Sequence, residues 1–337
     1  MKFLSVCIFL FPLTLFSQFP KLKTNFEKDS SYVKRLNEHI VLKIVTFNRA
    51  NNFNVKNNDV FLNIIPNDSQ KYSLSVDYDF LAFSIDLPER WTNTEPDNEK
   101  KGRTTRFDAA FTIFRNYWMQ SLYYNQTKGF YIKNTKDFST EWMFDLPYMQ
   151  FPDFKVTNVG GSTSYVVNAQ RISFRAVNNQ TEIQRKSAGS LIVTTNYNYS
   201  HFSNKEEDLK STQNRYNIIP EISYQYNWVL LNCDLLLSGK LGSGYGFSYV
   251  QNTFNGYRNN YGTDILYLNL NLNINYQFKN LFLGSQYHIS FQNYNDNGFT
   301  VNNSMQYLNV FLGYRFDAPK ILKKNSNWIK TRFFFLK

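Results

Sequence analysis

The sequence predicts an all-β chain, a transmembrane antiparallel up-and-down β-barrel of about 12 strands, with 10 and 14 as the neighbouring counts. Three observations lead there: an export-type leader, long segments of strict period-two hydropathy, and connections that alternate between very short and long. Composition narrows the field first. The 337 residues carry 37 basic and 26 acidic side chains, a net charge of +11, and 18% are aromatic. A chain this aromatic is not disordered, and it lacks the Ala/Glu/Lys/Leu/Arg richness of a helical array. There are two cysteines, Cys7 and Cys233, which excludes a disulfide framework or a cysteine-rich zinc site.

The leader comes first along the chain. Lys2 precedes 14 uncharged residues, Phe3 to Phe16, and then Ser17-Gln18. A basic start, an apolar centre and a small or polar exit describe a secretory signal peptide. A spanning helix needs ~20 apolar residues; this run is shorter and holds Pro12. The expected organisation is a signal peptide at 1–18, a periplasmic N-terminal segment at 19–38, a barrel at 39–316 and a periplasmic tail at 317–337. No later stretch reaches the length of a membrane helix. That leaves a soluble exported protein or a closed barrel, the other structure able to span a bilayer.

The strand that decides between them runs from Leu266 to Phe278. Leu266, Leu268, Leu270, Leu272, Ile274, Tyr276 and Phe278 share one face, and Asn269, Asn271, Asn273, Asn275 and Gln277 the other. Strict period two is a strand with one apolar and one polar side. Thirteen residues extend ~43 Å at ~3.3 Å each, or ~33 Å of height after a tilt of ~40°. Soluble strands usually stop at ~5–6 residues. The same texture recurs at Tyr72–Phe80, Phe107–Ile113, Ile218–Trp228, Leu281–Phe291 and Leu308–Phe316. Charges sit mostly on the polar side, as a membrane barrel requires, since a basic residue facing mid-membrane lipid costs ~2–4 kcal/mol.

The connections complete the pattern. Very short ones fall at 80–81, 115–116, 168–170, 228–230 and 279–280, and long polar ones at 49–69, 89–102, 132–153, 203–212, 251–262 and 293–303. Short periplasmic turns and long external loops are the barrel arrangement. Up-strands are expected near 39–48, 81–88, 117–131, 231–250 and 281–292, and down-strands near 70–80, 103–114, 154–167, 213–228, 263–278 and 304–316. The region 171–202 is long enough for two strands, but alternation allows one crossing. The rest is expected to fold inward or protrude. Pro220 lies inside a strand, where it removes a ladder hydrogen bond. A soluble β-sandwich would show the same period with its apolar face turned in. Strand length, loop alternation and Tyr and Trp near strand ends (Tyr117, Trp118, Tyr224, Trp228) favour the barrel.

Three motif blocks resemble domain-of-unknown-function family 4421. They are Ser121-x-x-Tyr124-x-x-Thr127-Lys128-Gly129-Phe130-Tyr131, then Gly160-Gly161-Ser162-Thr163-x-Tyr165, then Asn179-Gln180-Thr181-Glu182-x-Gln184-x-Lys186-Ser187-Ala188-Gly189-Ser190. The ending Gly313-Tyr314-Arg315-Phe316-x-Ala318-Pro319-Lys320 is similar to that family too. The resemblance runs from about Tyr32 to Lys324. It implies an exported outer-membrane barrel of Bacteroidetes-type bacteria and brings no assigned activity.

Chemistry is sparse. His39, His201 and His288 form no metal-spaced cluster, and only His288 is mid-strand, on the polar face. No Gly-x-Ser-x-Gly elbow is present, and Gly242-Ser-Gly-Tyr-Gly246 lies within a strand and opens no helix, unlike a phosphate loop. The conspicuous polar group is Arg171, Arg175, Gln180, Glu182, Gln184, Arg185 and Lys186, expected either as a salt-bridge and hydrogen-bond network filling the lumen or as a charged constriction. The basic residues are scattered rather than striped, so nucleic acid is not an expected partner. Outer-membrane lipids, the barrel assembly machinery and small polar or anionic solutes are. The expected role is structural or that of a narrow passive channel, without enzymatic activity or cofactor. The rivals are a membrane-embedded lipid hydrolase, which needs an orientated Ser–His pair on the outer wall, and a secreted β-sandwich binding protein.

Overall fold

The computed structural model describes residues 26–322 apart from 57–59, 68–69, 88–96, 140, 144–145, 207–208 and 297. The expected signal peptide and most of the C-terminal tail fall outside these residues. Two short strands stand apart from the wall, β1 (Val33–Arg35) and β9 (Glu182–Gln184), paired with each other. The wall is β2 (His39–Lys56), β4 (Lys71–Tyr78), β5 (Leu81–Asp86), β6 (Thr105–Arg115), β7 (Trp118–Ile132), β8 (Gln150–Val166), β10 (Ala188–Glu206), β11 (Leu209–Leu230), β12 (Leu235–Phe254), β13 (Tyr257–Phe278), β14 (Leu281–Asp296) and β15 (Phe299–Asp317). Each pairs antiparallel with its neighbour, and β15 returns to β2 in register from His39↔Asp317 to Lys56↔Thr300. The ring of 12 strands is closed, so no ladder edge meets the bilayer. The fold is a transmembrane antiparallel β-barrel.

Which face looks out is settled by exposure. Leu266, Leu268, Leu272, Ile274, Tyr276 and Phe278 are exposed, whereas Asn269, Asn273 and Asn275 are buried. The same sense holds around the ring: Ile218, Ile222 and Tyr224 on β11, and Leu308, Leu312 and Phe316 on β15, are exposed. Between them Asn217, Glu221, Ser223 and Arg315 are buried. An apolar belt around a polar interior is the inverse of a soluble sandwich, and it is the arrangement expected of lipid-facing strands.

The wall is uneven. Strands β10 to β13 run 19, 22, 20 and 22 residues, while β4 and β5 run 8 and 6. Three of the long loops expected from sequence, 203–212, 251–262 and 293–303, are instead largely strand, closing in tight hairpins. The ladder there continues past the hydrocarbon, as in Thr253↔Arg258 and Gln251↔Asn260. With water on both faces the selection for alternation ends, so sequence pattern marks the membrane belt and not the end of the strand. Above the short side, β3 (Phe61–Ile65) pairs with β2 through Phe53–Lys56 and with β7 through Tyr131 and Ile132, so one strand there replaces β4, β5 and β6. Gly129 makes this possible. It sits at the β7 register shift with φ +91°, and a Cβ there would run into the backbone carbonyl of Arg103.

Pro220 interrupts pairing between β11 and β12 locally, yet the register is the same on both sides, Ile218↔Phe247 and Glu221↔Gly244. The ambiguous region 171–202 contains one crossing, β10, preceded by an inward piece with a short helix, α1 (Phe174–Asn178), and β9. (A further helical turn, Asn98–Lys101, lies in the outer connection between β5 and β6.) The described part of the N-terminal segment, residues 26–38, reaches the barrel mouth, where β1 pairs with β9.

Candidate functional site: a plug across the lumen

The plug is built from residues 26–37 and 168–187, at the end of the barrel that carries the short turns. After β8 the chain turns at 167–171, and Ser173 caps α1, its Oγ accepting from the Ala176 amide at 2.9 Å. Such a cap supplies an acceptor for an orphan N–H donor of the first turn. The apolar residues of this stretch, Ala169, Ile172 and Phe174, pack with Val166, Ala188 and Ile192 of the adjoining strands, and Phe26, Tyr32, Phe114 and Met119 close over them. Gln180 takes a left-handed conformation, φ 54°, which turns the chain from α1 into β9. Antiparallel pairing of β9 with β1, Val33↔Gln184 to Arg35↔Glu182, ties in the N-terminal segment.

Wall side chains hold the plug from several directions. Lys43 on β2 donates to Asn178 O at 2.8 Å and to Gln180 Oε1 at 3.1 Å, while pairing with Asp77 on β4 at 3.1 Å. Arg315 on β15 donates from Nε to Gln180 O at 3.0 Å. Asn275 on β13 and Gln286 on β14 both donate to Val177 O, at 3.2 and 3.4 Å, and Asn227 on β11 donates to Ser173 O at 3.2 Å. Two inward aromatics complete the seat. Phe282 and Phe311 lie against Gly313 and Gly284, where a Cβ would strike their rings, and Arg315 lies 4.7 Å above the Phe282 ring.

Glu182 is the electrostatic centre. It is buried, accepts from Ser173 Oγ at 2.6 Å, and faces Arg175 at 3.3 Å, Lys28 at 3.7 Å and Arg35 at 3.9 Å. Burial pushes its carboxyl upward. The charges of Arg175 and Lys28, the Ser173 hydroxyl and then Arg35 outweigh that, and hold it below the usual carboxylate range. Lys28 moves the other way: burial lowers its ammonium to about 8, against the pull of Glu182. Arg175 also reaches Asp79 of the β4–β5 turn at 3.7 Å and donates to Thr181 Oγ1 at 3.0 Å.

Of the seven polar residues singled out in the sequence, Arg175, Gln180, Glu182 and Gln184 lie inside the plug. Gln184 is fully engaged, donating to Arg171 O and Lys186 O and accepting from the Ser173 amide. Arg171, Arg185 and Lys186 are exposed on the outer skin and grip the N-terminal segment instead. Arg171 and Lys186 lie 5.2 and 5.3 Å from the Tyr32 ring, and Arg185 donates to Ser30 O at 3.2 Å. Lys28, Arg35, Lys43, Asp77 and Arg315 also belong to the network, and sequence reasoning did not select them. For Lys43, Asp77 and Arg315 the usable signal was a charge on the polar face of a spanning strand; Lys28 and Arg35 carry no local signal.

Three cavities of more than 300 Å³ stand out among the described residues. The upper one, about 510 Å³, lies towards the outer end, between Asn158, Tyr123 and Ser84 on one side and Asn217, Tyr267 and Asn309 on the other. A middle one of about 350 Å³ shares Val45, Ser73, Ser84, Ala110 and Asn309 with it and reaches Asn178 and Asn179 of the plug. A lower one of about 320 Å³ shares Phe114 and Met119 with the middle cavity and is bordered by Lys28, Arg35, Arg115, Arg175, Asp79 and Glu182. The described parts of the long loop, 133–139, 141–143 and 146–149, stay at the outer rim, bonded to Asn63, Phe61 and Lys100.

The three imidazoles are far apart in role. His288 faces the lumen, 2.6 Å from Asn271 Oδ1 and stacked on Tyr307 at 4.7 Å; His39 pairs with Asp317 at 3.4 Å; His201 contacts Asn214 Oδ1 at 2.8 Å. Among the described residues no three His, Cys, Asp or Glu side chains gather as a metal site.

Solved structures of similar shape are outer-membrane barrels. The outer membrane protease OmpT of Escherichia coli is 9% identical, with a TM-score of 0.41, covering 84% of this chain and 98% of that one. An outer membrane channel of Pseudomonas putida F1 is 10% identical, with a TM-score of 0.38, covering 88% and 99%. No curated protein matches. The family described as Domain of unknown function (DUF4421) matches residues 27–316, which takes in all but the first residue of the plug segments and all but the last residue of the barrel wall. The chain belongs to the DUF4421 family.

Proposed function

We propose that this protein resides in an outer membrane, exported with residues 1–18 removed, and passes small polar solutes along a narrow path beside its own plug, without covalent chemistry. One observation carries the reading. The three cavities form a series along the inner face of β4 to β8, each sharing lining residues with the next. That wall presents small side chains, Ser73, Ser84, Ala110 and Thr112, to the middle cavity. The narrow point is Phe114 with Met119, which lie against the plug's apolar face. The lower cavity has four basic groups against two carboxylates, which favours anions over cations at the periplasmic exit. Lipids contact the outward belt, and assembly machinery of the membrane folds the ring. A lipid hydrolase is disfavoured because His288 faces inward and stacks on Tyr307.

Planar-bilayer recording tests the path. The native protein is expected to give small steps, and Phe114→Ala with Met119→Ala steps several-fold larger with unchanged heat-modifiable mobility. Background current from both proteins would refute conduction.

A further inference from the structure

We propose that the upper cavity is a binding site for a neutral saccharide. This rests on the reading of the lumen as a solute path and names the solute class. The cavity's volume of about 510 Å³ falls within the ~300–1,000 Å³ of small-molecule sites. Its chemistry is aromatic and amide. Tyr123 faces inward from β7, and its cross-strand neighbours are Ala110 and Gly160, two of the smallest residues available. A Cβ at Gly160 would stand 2.7 Å from the Tyr123 hydroxyl oxygen, so the glycine of the Gly160-Gly161 motif makes room for this ring. The tyrosine keeps 36% of its surface exposed, inside a lumen where most inward side chains are buried.

Amides surround it. Asn158 donates to Asn125 Oδ1 at 2.7 Å; Asn217 donates to Asn198 Oδ1 at 3.1 Å, and Asn198 to Ser200 Oγ at 2.8 Å. These bonds fix the amide orientations in advance. Asn217 is 8% exposed, and its Oδ1 accepts no hydrogen bond among the described residues. A buried acceptor left unmade costs ~1–3 kcal/mol, so a ligand donor is favoured there.

The lining carries Asp86, Asp108 and Arg215. Asp108 is paired with Arg106 at 2.7 Å, and the Arg215 guanidinium stands 4.0 Å from the Tyr294 ring centroid, so charges of both signs leave no single-sign field to select an ion. An apolar ligand would strip water from the amides and return no hydrogen bond. A pyranose meets both demands: its C–H face stacks on a phenol ring, and its hydroxyls both donate and accept, as amides do.

The experiment is calorimetric titration of the folded barrel in a sugar-free detergent, with maltotriose, cellotriose and triacetylchitotriose, all neutral, as probes. Saturable binding of at least one is expected. Tyr123→Ala should weaken it about tenfold, equivalent to ~1.4 kcal/mol, and Ala110→Trp, which fills the cavity, should abolish it. Heat-modifiable mobility reports that both variants fold. No saturable binding by any probe up to its solubility, or binding indifferent to both substitutions, would overturn the proposal; so would stronger binding of inorganic phosphate or glutamate at the same site. Conductance without saccharide binding would remove this inference and leave the path intact, whereas binding without conductance would do the reverse.

Discussion

Replacing Glu182 by alanine should undock the plug. The carboxylate accepts one hydrogen bond, from Ser173, and faces three cations, of which Lys28 and Arg175 have side chains only 13% and 11% exposed. Arg35 is 43% exposed and adds little, since surface pairs contribute ~0–1 kcal/mol. Removing the anion leaves Lys28 and Arg175 beside each other with a charge deficit, and breaking a buried pair this way costs ~3–5 kcal/mol. At 1.4 kcal/mol per tenfold, that raises the undocked fraction by roughly two to three and a half orders of magnitude. Two assays read it. Backbone amide exchange at Val33–Arg35, protected by the β1–β9 ladder, should accelerate by a comparable factor. Bilayer recordings should acquire long openings absent from the native protein. Glu182→Gln retains an acceptor for Ser173 and should fall between the two. Native-like exchange and current in Glu182→Ala would show that the apolar seat alone holds the plug and would refute the electrostatic reasoning.

Acid should act on the same group. Because the docked pKa of Glu182 lies below its undocked value, its stabilisation is fully present above an ordinary carboxylate pKa of ~4.3 and is lost as pH falls through the docked value. Exchange at β1 should therefore quicken at strongly acidic pH in the native protein, and Glu182→Gln should remove that dependence. On the outer wall, Leu272→Arg places a cation near the middle of the exposed belt of β13 and should destabilise the barrel by ~2–4 kcal/mol, measured by reversible urea unfolding in phospholipid vesicles. Leu272→Ala serves as the control, and equal midpoints for the two variants would show that this face does not meet lipid.

The lipid belt was legible in the chain because a strand repeats every two residues and a bilayer demands uniform apolarity over one face. Leu266 to Phe278 carries that demand without exception, and every segment with the same texture forms a strand of the wall. The hairpin extensions at 203–212, 251–262 and 293–303 were not legible, since beyond the membrane both faces see water and pairing continues without a hydropathy signature. In the plug, Arg175, Gln180, Glu182 and Gln184 stood out as a polar block, but the distant cations Lys28, Arg35 and Lys43 did not. Lys28 meets Ile172 across 144 positions, and Lys43 meets Asn178 across 135.

The sequence by itself determined that long two-faced strands exist and where most of them cross; the single crossing expected in 171–202 was settled by the closed ring. Tertiary structure alone decided which face turns outward, because period two is symmetric between a greasy core and a greasy rim until the ring closes. It also decided that Val33–Arg35 return to pair with Glu182–Gln184 inside the mouth. That contact is set by the geometry of a closed wall bringing distant charges within 4 Å, and no local pattern encodes it.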